Sequence, residues 1–183
     1  IKYNVLQQTR SNKIPVTVSL YEVIGIDARA DETFGMNYKF NHRTNYFTQI
    51  IISRRFNDMF SLQVAPGFTH YNSTDSTVDH DRISFSFAGR VKFSPQSSLI
   101  IGADFPLQIQ GISEHTKDFN DMAEPMKPNI CIGYEVATST HAFHLYLASG
   151  QGILPQENIM LNKNDFFDKG ILIGLNITRL WSF

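Results

Sequence analysis

The chain has one cysteine, Cys131, in 183 residues, which excludes an internal disulfide and any cysteine-cluster metal site. No apolar run approaches the roughly 18 residues of a helical membrane span. Neither charge dominates: 16 Lys and Arg face 17 Asp and Glu, and a formal net charge of −1 lacks the footprint of a nucleic-acid binder. With 42% hydrophobic and 18% charged residues, the chain is too apolar to be disordered. There is no initiating Met and no leader pattern before the strand-like run at residues 1–9. Upstream strands are therefore expected to precede Ile1. Aromatics are plentiful, 13% of the chain, with 15 Phe and 7 Tyr.

Alternation with a period of two is the dominant pattern. In Arg82–Phe93, Ile83, Phe85, Phe87, Val91 and Phe93 share one face, opposite Arg82, Ser84, Ser86, Arg90 and Lys92. Ser98–Ile109 sets Leu99, Ile101, Phe105 and Leu107 against Gly102, Asp104 and Gln108. Asn129–Ala137 and Ala142–Gly150 repeat the scheme, and pairing Ala137 with Ala142 would put Glu135 opposite His144. Nine strands are expected: 1–9, 14–25, 45–56, 59–71, 81–93, 98–109, 128–137, 142–150 and 170–183. Only the facing of 45–56 is ambiguous, because Ile50, Ile51 and Ile52 are consecutive. Most runs are roughly 10–14 residues, longer than the roughly 5–6 of soluble strands and long enough to cross a bilayer.

The connections alternate between short links and four long loops, 25–44, 72–81, 110–127 and 151–168. Those loops hold 13 of the 17 acidic residues and 6 of the 16 basic ones, so one end carries −7 and the remainder +6. Long loops at one end and tight turns at the other characterise outer-membrane barrels. Aromatics at strand ends (Tyr46, Phe60, Phe93, Tyr134, Trp181 and Phe183) suit an interfacial girdle. The expected fold is all-β, an antiparallel transmembrane barrel of the outer membrane forming a single domain over 1–183. Nine is odd and an open edge cannot face lipid, so the complete barrel is expected to have about 10–14 strands. The long loops would be extracellular; the short turns and C-terminus would be periplasmic.

Three segments carry a likeness to a known family: Lys13-Ile14-Pro15-Val16-Thr17-Val18, Ile51-Ile52-Ser53-Arg54-Arg55-Phe56-Asn57-Asp58, and the ending Gly174-Leu175-Asn176-Ile177-Thr178-Arg179-Leu180-Trp181. With them the chain resembles an outer-membrane β-barrel family of Bacteroidota known as a domain of unknown function. The resemblance implies an outer-membrane location, further N-terminal hairpins and a leader removed upstream. It transfers no functional residues.

The expected lumen set is Arg82, Arg90, Lys92, Asp104, Glu135 and His144, with Asp104 diagonal to Arg90 if Phe93 pairs with Leu99. Neutralising ladders would make this set structural; an excess of Arg and Lys would favour anions in a pore. His42, His80 and His115 read as solvated loop residues, and Asp79, His80 and Asp81 are too close in sequence to converge easily on one ion. No Gly-x-Ser-x-Gly elbow accompanies Glu135 and His144. The expected role is a structural or accessory component of an outer-membrane assembly, not an enzyme and without a cofactor. Its partners would be outer-membrane lipid, lipopolysaccharide and other subunits, with no nucleic acid. The alternatives are a narrow, porin-like channel for small anionic solutes and, more remotely, a membrane-embedded hydrolase.

Overall fold

The computed structural model describes residues 1–75, 77–109 and 125–179. Nine antiparallel strands form one sheet in sequence order: β1 (Lys2–Leu6), β2 (Thr17–Ile26), β3 (Thr44–Arg55), β4 (Phe60–Tyr71), β5 (Asp81–Lys92), β6 (Ser97–Gln108), β7 (Asn129–Ala137), β8 (His141–Ala148) and β9 (Leu172–Arg179). Among the described residues β1 and β9 each pair on one side, so the sheet is not closed. The first turn is longer than its sequence suggests. Pro15 cannot donate to a ladder, and the link is tied instead by Thr9 N donating to Ile14 O at 3.1 Å. Strand β1 therefore ends at Leu6, not at Thr9.

Burial settles which way the alternation faces. Ser19, Thr69, Ser84 and Ser98 are fully buried or nearly so, whereas Ile83, Phe85, Phe87 and Leu145 are exposed, Phe87 to 46%. Strand β3 resolves the same way, with Asn45, Phe47, Gln49 and Ile51 inward and Tyr46, Ile50 and Ile52 outward. In a water-soluble sheet the apolar face would form the core; here polar residues fill the interior and apolar side chains cover the outside. That inversion is what a lipid-facing barrel wall requires.

The girdle is visible at both ends. Phe93 stacks on Tyr134 with ring centres 6.0 Å apart near the short turns, where Tyr134 Oη donates to Ser97 Oγ at 3.1 Å. Near the long loops Tyr46 stacks on His70 at 6.3 Å. His70 also bonds Asp81 through Nδ1 at 2.6 Å and Asn72 through Nε2 at 3.1 Å. Arg54, on the outward face, lies 5.0 Å from the centre of the Phe56 ring at the short-turn rim. Trp181 and Phe183 lie outside the described residues.

Register follows the expected pattern with one correction. Ala137 does face Ala142, and Glu135 faces His144. Phe93, however, does not pair with Leu99. The Ser94 hydroxyl accepts from Ser97 N at 2.9 Å and closes a tight turn, so Val91 faces Leu99 instead. A shift of two residues keeps every side chain on its face but changes its neighbours. Asp104 thus faces Ser86 and Asn129 rather than lying beside Arg90.

The β2–β3 connection is built around Arg43. Its guanidinium donates to Tyr38 Oη at 2.6 Å, to the Asp27 carbonyl at 2.6 Å and to the Arg29 carbonyl at 2.5 Å, and also pairs with Asp31. Arg29 Nε donates to the Asp27 carboxylate at 2.8 Å, and that bond is the main cause holding the Asp27 carboxyl below the usual carboxylate range. A depressed folded-state value stabilises the loop above the unfolded value, about 3.9, and the contribution is lost as pH falls through the folded value. Protease sensitivity of residues 27–43 is therefore expected to stay flat from pH 7 to about 5 and to rise below about pH 4. A flat profile down to pH 2 would remove the Asp27 clasp from the account.

The β8–β9 connection is not simply a loop. Pro155–Leu161 forms a short helix, α1, with Pro155 at its start and Glu157 Oε2 accepting from Leu154 N at 3.2 Å. Periodicity could not announce two turns of helix inside a polar connection. Gln156, Ile159 and Met160 of α1 are buried against the inward faces of β3 to β6.

Candidate functional site: the inward face and its closing helix

Three polar clusters occupy the inward face. The first holds α1. Arg82 Nη2 donates to Asp79 Oδ2 at 2.7 Å, and the two side chains are only 5% and 1% exposed. Arg82 Nη1 reaches the Ile159 carbonyl of α1 at 3.4 Å, and Gln156 Nε2 donates to Asn45 Oδ1 at 2.9 Å. Ile159 and Met160 supply the apolar contact, at 1% and 0% exposure. By sequence Asp79 belongs to the acids of the long connections and not to the inward face. Instead the chain enters β5 with Asp79 turned inward, three residues before the guanidinium that neutralises it.

The second cluster lies at the short-turn end. Arg90 pairs with Glu135 across the intervening strand β6 and donates through Nε to Ser98 Oγ at 3.1 Å. His144 Nδ1 stands 3.7 Å from the other Glu135 oxygen. Glu135 lies between Ser98 on β6 and His144 on β8, so hydroxyl and imidazole are two strand spacings apart, about 10 Å. A nucleophile and its base must be within hydrogen-bond reach, and this row does not bring them there. Lys92 lies near the same end and has no ion-pair partner among the described residues.

The third cluster is at mid-height. Gln49 Nε2 donates to Ser86 Oγ at 3.0 Å, and Asn129 Nδ2 donates to Asp104 Oδ2 at 2.9 Å. Asn129 Oδ1 accepts from Gly150 N at 2.7 Å, anchoring the chain as it leaves β8. Beneath α1 these groups border a cavity of about 300 Å³ that Phe47, Gln63 and Cys131 also line.

The six expected lumen residues therefore fall into separate environments. Arg82 braces the helix, Arg90, Glu135 and His144 form one row, Lys92 stands near the turns, and Asp104 sits alone at mid-height. The loop triplet diverges: Asp79 bonds Arg82, His80 Nδ1 meets the Tyr71 carbonyl at 2.8 Å, and Asp81 bonds His70. Among the described residues no three His, Cys, Asp or Glu side chains are placed to hold a metal ion. His115 lies outside them. What sequence reasoning missed is the bracing set, Asp79, Asn45, Gln156 and α1, whose members lie up to 111 residues apart. The spacing of three between Asp79 and Arg82 is the one local signal that could have revealed part of it.

An antiparallel sheet of long strands, polar within and apolar without, defines a membrane β-barrel. The sequence agrees with that assignment. The chain belongs to the family described as membrane bound beta barrel domain (DUF5777), a domain of unknown function, which it matches over residues 1–181. No curated protein and no solved structure matches it.

Proposed function

We propose that this domain is part of an outer-membrane barrel whose lumen is occluded, with a structural or accessory role carried out at its long-loop end rather than through that lumen. The long acidic loops would be extracellular and would meet lipopolysaccharide headgroups or other subunits of an outer-membrane assembly, while the short turns would face the periplasm. We read it as a non-enzymatic protein. The observation that carries this reading is α1, folded inward with Met160 at 0% exposure and braced by the Arg82–Asp79 pair. The ion pairing of Arg82 and Arg90 also leaves little uncompensated positive charge for an anion filter.

In a planar bilayer the full-length protein is expected to be electrically silent, and the same barrel lacking residues 155–161 is expected to conduct. Steady conductance by the intact protein would sink the occluded-lumen reading. It would favour the runner-up, a narrow channel for small solutes, whose support is the cavity already present beneath α1.

A further inference from the structure

The cavity beneath α1 has one formal charge among its lining side chains, the carboxylate of Asp104. Asp104 is faced by Ser86 on one side and by Asn129 on the other, and Asn129, which donates to it, carries no charge. No described cation pairs with Asp104. Arg82 is committed to Asp79 and Arg90 to Glu135. Lys92 is six residues along β5 from Ser86, roughly 20 Å away. A partly buried carboxylate without a counter-charge favours any cation that can reach it.

We propose that this cavity is a binding site for a small organic cation of the primary-amine or quaternary-ammonium class. Asp104 supplies the counter-charge, and the side-chain oxygens of Gln49 and Gln63 are available to accept from an amine. Phe47, 1% exposed, closes one side of the cavity with apolar packing. A cavity of about 300 Å³ suits a small amine. A hard metal ion is the poorer match, because one carboxylate among amides falls short of the roughly six to eight oxygens that calcium takes. The site stands whether or not the barrel conducts, and its preference is opposite to that of an anion channel.

Cys131 makes the proposal directly testable, because it lines the same cavity and is the single thiol among these 183 residues, and its labelling is read on its own peptide by mass spectrometry. The full-length barrel, in detergent or in vesicles, would be treated with two methanethiosulfonates of similar size. One carries a trimethylammonium group and the other a sulfonate. In both reactions the Cys131 thiolate attacks the reagent's sulfenyl sulfur, forming a mixed disulfide and releasing methanesulfinate. The thiol's own acidity therefore cancels in the ratio of the two rates, leaving the local potential. Relative to a free thiol in solution, the cationic-to-anionic ratio is expected to be raised about ten-fold or more. It should fall towards the solution value in Asp104→Asn and with rising salt. Millimolar tetramethylammonium, which cannot react, should slow the cationic reagent. A ratio at the free-thiol value, a reversed ratio, or no reaction with either reagent would each overturn the proposal. If Asp104→Asn does not fold, the salt dependence and the tetramethylammonium competition in the unaltered protein decide the matter.

Discussion

Replacing Arg82 by Ala is expected to destabilise the barrel by about 3–5 kcal/mol, the cost of leaving a buried partner charge unpaired. Asp79 would be that charge, with its side chain only 1% exposed and Gln108 its other neighbour, at 3.5 Å. The same substitution removes the donor to the Ile159 carbonyl, so α1 should also loosen. Urea unfolding of the vesicle-inserted protein would measure the first effect, and protease access to residues 155–161 the second. A double variant, Arg82→Met with Asp79→Leu, should recover most of the stability, because both charges go together. It should not restore the link to α1. A loss below about 1 kcal/mol for Arg82→Ala would mean that the pair is solvated and braces nothing.

Replacing Phe87 by Arg is expected to cost about 2–4 kcal/mol, because the guanidinium would have to enter hydrocarbon near the middle of a strand. Phe87 is 46% exposed on the apolar face and meets Phe105 edge-on, with ring centres 6.0 Å apart. On a water-exposed sheet the same change would be close to neutral, within about 0.5 kcal/mol. The measurement is the urea midpoint in vesicles, with folding followed by the mobility difference between unheated and boiled protein. A near-neutral result would contradict the lipid-facing assignment of this whole face.

Much of the fold was legible because a lipid-facing wall imposes a strict rule along each strand. Ile83, Phe85 and Phe87 against Arg82, Ser84 and Ser86 leave one consistent assignment once long strands and one-sided loops are added. The facing of β3 was not legible, since three consecutive isoleucines satisfy either choice; only the burial of Phe47 and Ile51 breaks the tie. The register of β5 on β6 was missed for a different reason. It depends on a serine hydroxyl closing the turn, and a slip of two residues leaves the hydrophobic pattern intact. The candidate site was the least legible part. Glu135 and His144 could be matched across a short turn, but Arg90 reaches the same carboxylate from two strands away. The contacts that hold α1 join segments far apart in sequence, and a single chain carries no periodic trace of them.

The strand order has a consequence for how the domain is put together. Every strand lies beside its sequence neighbour, so each hairpin can form as soon as its two halves exist, and the sheet grows like a zipper from any starting point. Helix α1 is the exception. Its partners Asn45 and Arg82 precede it by 111 and 77 residues, counted from Gln156 and Ile159. It can seat fully only after β3, β4, β5 and β6 stand side by side. The helix is therefore the keystone of assembly, set last, and its seating marks the point at which the central wall is complete.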